Sequence, residues 1–245
     1  MAIADVAEEL RAVARASDDA VGYFAAVYSR VTSTIATSIA EGRFADGPRM
    51  ERFASTFAEL YTRCLGPRPV RARCWQAGFD VAGDRDLIIL QHLLIGFNAH
   101  VTHDLPQAVV AVADSTGDLQ AVKPDFDAIN ILLGEMTLGV LSDLDRVSRW
   151  ASEVGSFGGG RFFNFSLVKA RDQAWRTAER LFPLSAADRA VEVAELDRLT
   201  SVLAYLITRP TLPGRLVVSV ARRLEERDPR KVTAALLGDR SRRRP

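Results

Sequence analysis

The sequence predicts an all-α protein: a single-domain bundle of about nine helices around a central buried apolar helix. Three observations point there. Apolar residues recur at helical spacing along most of the 245 residues. No convincing period-two run appears; "GRLVVSV" comes nearest, and its continuation "ARRLEER" argues for helix. Lastly, "LIILQHLLIGFNAHVTHDLP", residues 87–106, is apolar on every side of the helical wheel. A surface helix keeps a clean polar face, so this one should run through the middle of the bundle.

The elements follow in order. "ADVAEELRAVARA" puts Val6, Leu10 and Val13 on one stripe. Ser17-Asp18 reads as an N-cap for a long helix that Gly42 ends. "GPRMERFASTFAELYTRCLG" opens with Pro48 and closes at Gly66, the usual asymmetry of helix ends. A shorter helix centres on Trp75. Asp84 or Asp86 caps the histidine segment, and Pro106 should kink or restart it after Leu105. "STGDLQAVKPD" reads as a loop, with Asp125 capping a helix over 126–155. "SFGGG" is a break, followed by helices over 161–182, 185–210 and 212–238. The domain spans 1–238, and 239–245 form a basic disordered tail with no aromatic residues interleaved for nucleic acid.

Composition narrows the function classes. With 48% apolar and 26% charged residues the chain is ordinary for a soluble globular protein. A net charge of +1 gives no global attraction to nucleic acid or an anionic membrane. Two cysteines, Cys64 and Cys74, make neither a disulfide framework nor a four-cysteine zinc knuckle. The acidic, amphipathic N-terminus has no signal-peptide core, and no uncharged apolar run reaches the roughly 18 residues of a membrane span. A reducing, cytoplasmic setting is expected. No Walker loop, nucleophile elbow, His-Glu-x-x-His or dinucleotide fingerprint is present, so no nucleotide cofactor is expected. "FGGGRFF" has glycines before a helix but lacks the Gly-Lys-Ser/Thr ending, and reads as a hinge.

All three histidines, His92, His100 and His103, fall in the apolar segment, with Asp104 next. A buried polar group without a partner costs about 1–3 kcal/mol, so each must meet a partner, water, metal or ligand. On an ideal α-helix His92, Gly96, His100 and His103 share an arc of roughly 80°, which Asp104 extends to about 120°. Gly96 leaves room there for a neighbouring helix or a bound molecule. His100 and Asp104 are one turn apart, close enough to touch or to hold one metal ion between them. His92 lies about 12 Å further along the axis and belongs to a second layer or elsewhere in a cleft. His103, at the segment's end, is expected to be solvated. Asp125 and Asn130 reach His100 and Asp104 only if the next long helix packs antiparallel. The tryptophans Trp75, Trp150 and Trp175 read as core or groove aromatics, and Arg171 as an anion ligand or an exposed ion pair.

"QHLLIGFNAHVTHDLP" resembles the Asn-Ala-His-x-x-x-Asp-Leu signature of an uncharacterised bacterial family, domain of unknown function 5995. "DFDAIN" resembles its second motif, and "ARDQAW", with Arg171 and Trp175, a weaker third. The similarity is sharpest over about residues 70–180. It implies a helical fold with His92, Asn98, His100, Asp104, Asp125 and Asn130 as motif positions, and carries no established activity. Thr102 stands where the motif has Asn, and His103 falls at a variable position, so the resemblance gives His103 no role. His-x-x-x-Asp is also similar to a metal motif of zinc-dependent phospholipases C and single-strand nucleases. Those sites need more histidines than this chain has, which excludes membership but not a mononuclear site.

The leading expectation is a small-molecule enzyme of lyase, cyclase or isomerase type. In it His100 is acid or base, assisted by His92, and Asp104 orients His100. Asn98, Gly96, Asp125, Asn130, Arg171 and Trp175 would contact a partly apolar substrate. Alternatives are a hydrolase holding one divalent metal ion on His100 and Asp104, a non-catalytic binder of an apolar ligand, and a helical interaction protein with an exposed apolar patch.

Overall fold

The computed structural model describes residues 2–66, 68–148 and 160–239. Among the described residues the chain is all-α, with ten helices when the continuous central rod is counted once. Its only β-type pairing there is an isolated bridge between Ser148 and Glu225. The break at 156–159, Trp150 and the basic tail from 240 onward lie outside the described residues.

Helix α1 (Ile3–Ala16) buries Val6 and Leu10 of the expected stripe, with Ile3, against α2 (Val21–Ala40), while Val13 is half-buried. The α2 start falls later than Ser17-Asp18 suggests, because the Asp19 carboxylate accepts the Val21 N–H at 2.9 Å. Gly42, with φ +71°, follows the last turn of α2 in the left-handed conformation that glycine adopts freely. Residues Tyr23 to Ser29 are all buried, so α2 is a second central helix. Helix α3 (Gly47–Thr62) is capped by Asp46, which accepts the Arg49 N–H at 2.8 Å, and buries Met50, Phe53 and Tyr61. The short α4 (Arg73–Asp80) carries Cys74 and Trp75 inward.

The histidine segment forms one rod: α5 (Ile89–Phe97), a π-helix (Asn98–Asp104) and α6 (Leu105–Thr116). Neither Asp84 nor Asp86 caps it. Gln91 folds back to accept the Ile88 N–H at 3.1 Å, and Glu225 accepts the Ile89 N–H at 3.0 Å. The rod does not break at Pro106. Its preceding turn widens, so that the Leu105 N–H bonds to the His100 carbonyl five residues back. Pro106 has no N–H to extend the ordinary ladder, and α-helix resumes with it in the first turn. Gly96 lets the rod approach α2: a Cβ there would lie 2.6 Å from the Phe24 ring.

The stretch 115–125 is mostly ordered. Gly117 (φ +70°) ends α6, a single 3₁₀ turn (Gln120–Val122) follows, and α7 (Lys123–Asp145) starts before Asp125. Beyond it come α8 (Gly160–Leu181) and α9 (Ala186–Thr208), the latter capped by Ser185. The expected single helix over 212–238 is two, α10 (Leu212–Arg223) and α11 (Pro229–Leu236). Asp228 caps α11, with Pro229 in its first turn, and this stop-and-start chemistry overrides the apolar period.

The α4, π-helix and α9 segments pack together, as do α6 and α8. A connected core of buried apolar side chains runs from Ile3 in α1 to Leu237 after α11. The surface is not covered throughout: Leu212, Leu216, Val217 and Val220 of α10 are exposed, as are Leu203 and Leu206 of α9. No helix among the described residues is long and apolar enough to cross a membrane.

Candidate functional site

The π-turn decides which side chains meet. Adjacent residues on an α-helix point about 100° apart and do not face each other. Here His103 and Asp104, neighbours in sequence, touch: His103 Nδ1 lies 2.7 Å from Asp104 Oδ1. The other carboxylate oxygen, Oδ2, accepts the Trp75 indole N–H at 2.8 Å and faces His100 Nδ1 at 3.2 Å. Asp104 is therefore the hub of a buried cluster assembled from α4 and the π-helix. Burial alone would raise its pKa, but the hydrogen bonds from His100 and His103 lead the effects that outweigh it, holding the carboxyl below its usual range.

His100 is the counterpart. Burial pushes its pKa down, and the Asp104 contact only partly offsets that, so the imidazole is neutral at pH 7. A carboxylate accepts hydrogen bonds and does not donate them, which assigns the ring proton to Nδ1 and leaves Nε2 with a lone pair. Nε2 is buried and has no hydrogen-bond partner among the described residues. The ring is clamped by aromatics: Phe57 stacks on it at 3.6 Å with planes 8° apart, and Tyr28 meets it edge-on at 4.4 Å. Burial raises the phenols of Tyr28 and Tyr61 far above their ordinary range, so both stay neutral.

His100 also borders a partly open cavity of about 60 Å³ between α2, α3, α7 and α8. Its walls are almost wholly apolar, with Tyr28, Phe53, Phe57 and Leu133 among them; Arg171 is the one charged lining residue. Arg171 is 3% exposed and donates to Asn130 Oδ1 and the Phe126 carbonyl, both at 2.6 Å. Its guanidinium lies over the Phe126 ring, 4.2 Å from the centroid. Burial lowers its pKa to about 10, which still leaves it charged, and it forms no ion pair among the described residues.

A second cluster adjoins Asp104 through His103. Ligand atoms of Cys74, His103 and Asp197 fall within 4.8 Å of one another, the one such grouping of three among the described residues. His103 is buried, not solvated as its position suggests. Asp197 of α9 accepts the Cys74 N–H at 2.8 Å and the Arg73 N–H at 3.0 Å, capping α4 from another helix. Burial, then the contact with Asp197, pushes the Cys74 thiol up. His100 and Asp104 do not belong to this grouping.

The other expected residues are dispersed. His92 is apart from the hub: its Nε2 is 3.3 Å from the Asp84 carbonyl, its ring meets Tyr23 edge-on, and it borders a separate surface hollow. Asn98 donates to the Thr200 carbonyl at 2.9 Å, tying the π-helix to α9. Gly96 makes room for Phe24. Asp125 does not approach His100; it is a docking post for the α3 entrance, accepting the Ala45 and Asp46 N–H groups and the Arg49 guanidinium at 2.8 Å. Asn130 orients Arg171. Trp175 packs on Phe126 and donates to Glu179. Sequence reasoning missed Phe57, Tyr28, Cys74 and Asp197, and gave Trp75 no more than a packing role. No local pattern marks these residues; tertiary packing alone brings them to the rod.

Fold and site together define an all-α protein whose central rod carries a buried histidine–carboxylate cluster at a π-turn. The chain belongs to the family of unknown function DUF5995, whose family model matches residues 3–210. That span includes the hub, the cavity residues and Asp197. Comparison with curated proteins and with solved structures returns no match.

Proposed function

We propose that the protein is a small-molecule enzyme in which His100 is the general base and Asp104 holds it in the reactive tautomer. The observation that carries this reading is the orphaned lone pair: His100 Nε2 is buried, neutral and, among the described residues, unpartnered, in a ring that borders an apolar cavity. An unmet buried acceptor costs about 1–3 kcal/mol, an expense an acceptor awaiting a substrate proton would explain. Arg171, charged and without an ion pair among the described residues, suits a substrate carboxylate at the same cavity. The substrate class is then a small acid with a short apolar segment, and proton removal, as in an isomerase or lyase, is the chemistry that a base plus an anion anchor supports. The cavity is smaller than the ~150 Å³ that admits benzene, so it would take one segment of the substrate unless the walls open. The two buried free cysteines favour a reducing, cytoplasmic location.

The test is turnover of a panel of small carboxylic acids in D2O, followed by NMR and mass spectrometry. The native chain should exchange or convert at least one of them, and His100→Gln should lose on the order of 10²–10⁴-fold, the usual contribution of general acid–base catalysis. Equal rates for the two proteins would overturn the reading. The nearly wholly apolar lining favours one second reading, a binder of an apolar ligand without turnover. Native mass spectrometry separates the two: a binder returns its ligand unchanged.

A further inference from the structure

We propose that Cys74, His103 and Asp197 form a divalent-metal site, with zinc the ion their chemistry fits best. The proposal is independent of the role assigned to His100. A thiolate, an imidazole and a carboxylate, brought together from α4, the π-helix and α9, are the three ligand types zinc takes, and their ligand atoms already lie within 4.8 Å of one another. Two anionic ligands and one neutral imidazole balance the charge of a divalent ion.

The surroundings supply a second, separate indication. A histidine that ligates a metal usually donates its other ring N–H to a carboxylate, which fixes tautomer and orientation. His103 makes that contact, with Nδ1 2.7 Å from Asp104, and this leaves Nε2 as the available nitrogen. Asp197 is held in place by the two N–H groups at the start of α4 and keeps lone pairs beyond them. It is also half-buried, so solvent reaches the group from its side. Cys74 is fully buried and loses its proton as the metal binds. Two adjustments are needed. The ligands must close to about 2.0–2.3 Å from the ion. The Gln107 amide, 3.3 Å from His103 Nε2, must turn aside, which a surface-reaching side chain can do. Three protein ligands leave a fourth position for water, the pattern of a zinc site that does chemistry. Asp104 would then couple the ion to His100 through a single carboxylate.

The experiment uses the full chain, stripped with a chelator and titrated with Zn2+ and Co2+. One Zn2+ per chain by elemental analysis is expected, with a Co2+ complex showing the near-ultraviolet band of thiolate ligation. Cys64→Ser should keep that band and Cys74→Ser should lose it. Asp104→Asn should weaken Zn2+ binding by about 10–100-fold, the usual cost of removing a carboxylate behind a ligating histidine. No stoichiometric metal, or a thiolate band that survives Cys74→Ser, overturns the site. If Cys74→Ser does not fold, the Cys64→Ser chain still decides, because its one cysteine is Cys74: a thiolate band supports the site and its absence overturns it. Loss of metal binding with the His100→Gln effect intact would remove this site and leave the proposed base in place.

Discussion

Asp104 concentrates the chemistry of this protein in one carboxylate. Three donors converge on it: the Trp75 indole and the two imidazoles. Trp75→Phe removes one donor and keeps most of the packing, so it should destabilise by about 1–3 kcal/mol, read by urea unfolding. Phe57→Ala removes the face on which His100 stacks and should cost about 3–5 kcal/mol by the same measurement. The one-turn spacing of His100 and Asp104 was readable in the sequence, and the structure has them in contact. The solvated default for His103 failed because it took the segment to end there, whereas the rod runs on through α6, and nothing local announces that Trp75 arrives from α4. Asp125 shows the reverse limit. Its place in a family motif suggested substrate, whereas its carboxylate holds the backbone before α3.

Helix by helix, periodicity and end signals located most of the rods, and the misses have physical causes. The loop expected over 115–125 contains a 3₁₀ turn and the start of α7, since Lys123 and Pro124 begin that helix before Asp125. The division of 212–238 was written in Asp228-Pro229, a capping pair that the apolar period concealed. The π-turn is the element that matters most, and only Pro106 hinted at it. Close approach of the rod to α2 depends on Gly96, where an added Cβ meets the Phe24 ring at 2.6 Å. Gly96→Ala should therefore destabilise by about 1–3 kcal/mol through overpacking, although alanine is the better helix former. A rise in the thermal midpoint would show that the two helices do not meet there.

Across the whole molecule, pH is the simplest probe of burial. His92 and His100 both have pKa values lowered by burial, so the folded state binds protons less readily than the unfolded chain. Their contribution to stability is complete above the unfolded value of about 6.5 and is lost as pH falls below it. The thermal midpoint should accordingly drop between pH 7.5 and about pH 5.5, and His92→Phe should flatten part of that slope. The exposed apolar residues of α9 and α10 are separate from this chemistry, since neither helix lines the cavity at His100. Composition and periodicity made the all-α class legible. The site's second half was not, because Cys74, His103 and Asp197 are far apart in sequence and meet only through the packing of α4 and α9 on the rod.

Nitrogen NMR of the labelled histidine rings tests the central claim most directly. The account predicts that His100 titrates below the ordinary value of about 6.5, and that at pH 7 and above it is neutral, protonated at Nδ1, with an Nε2 that carries no proton, and that Asp104→Asn abolishes this pattern. An Nε2–H tautomer, or an imidazolium that titrates near 6.5 like a solvated histidine, would contradict it.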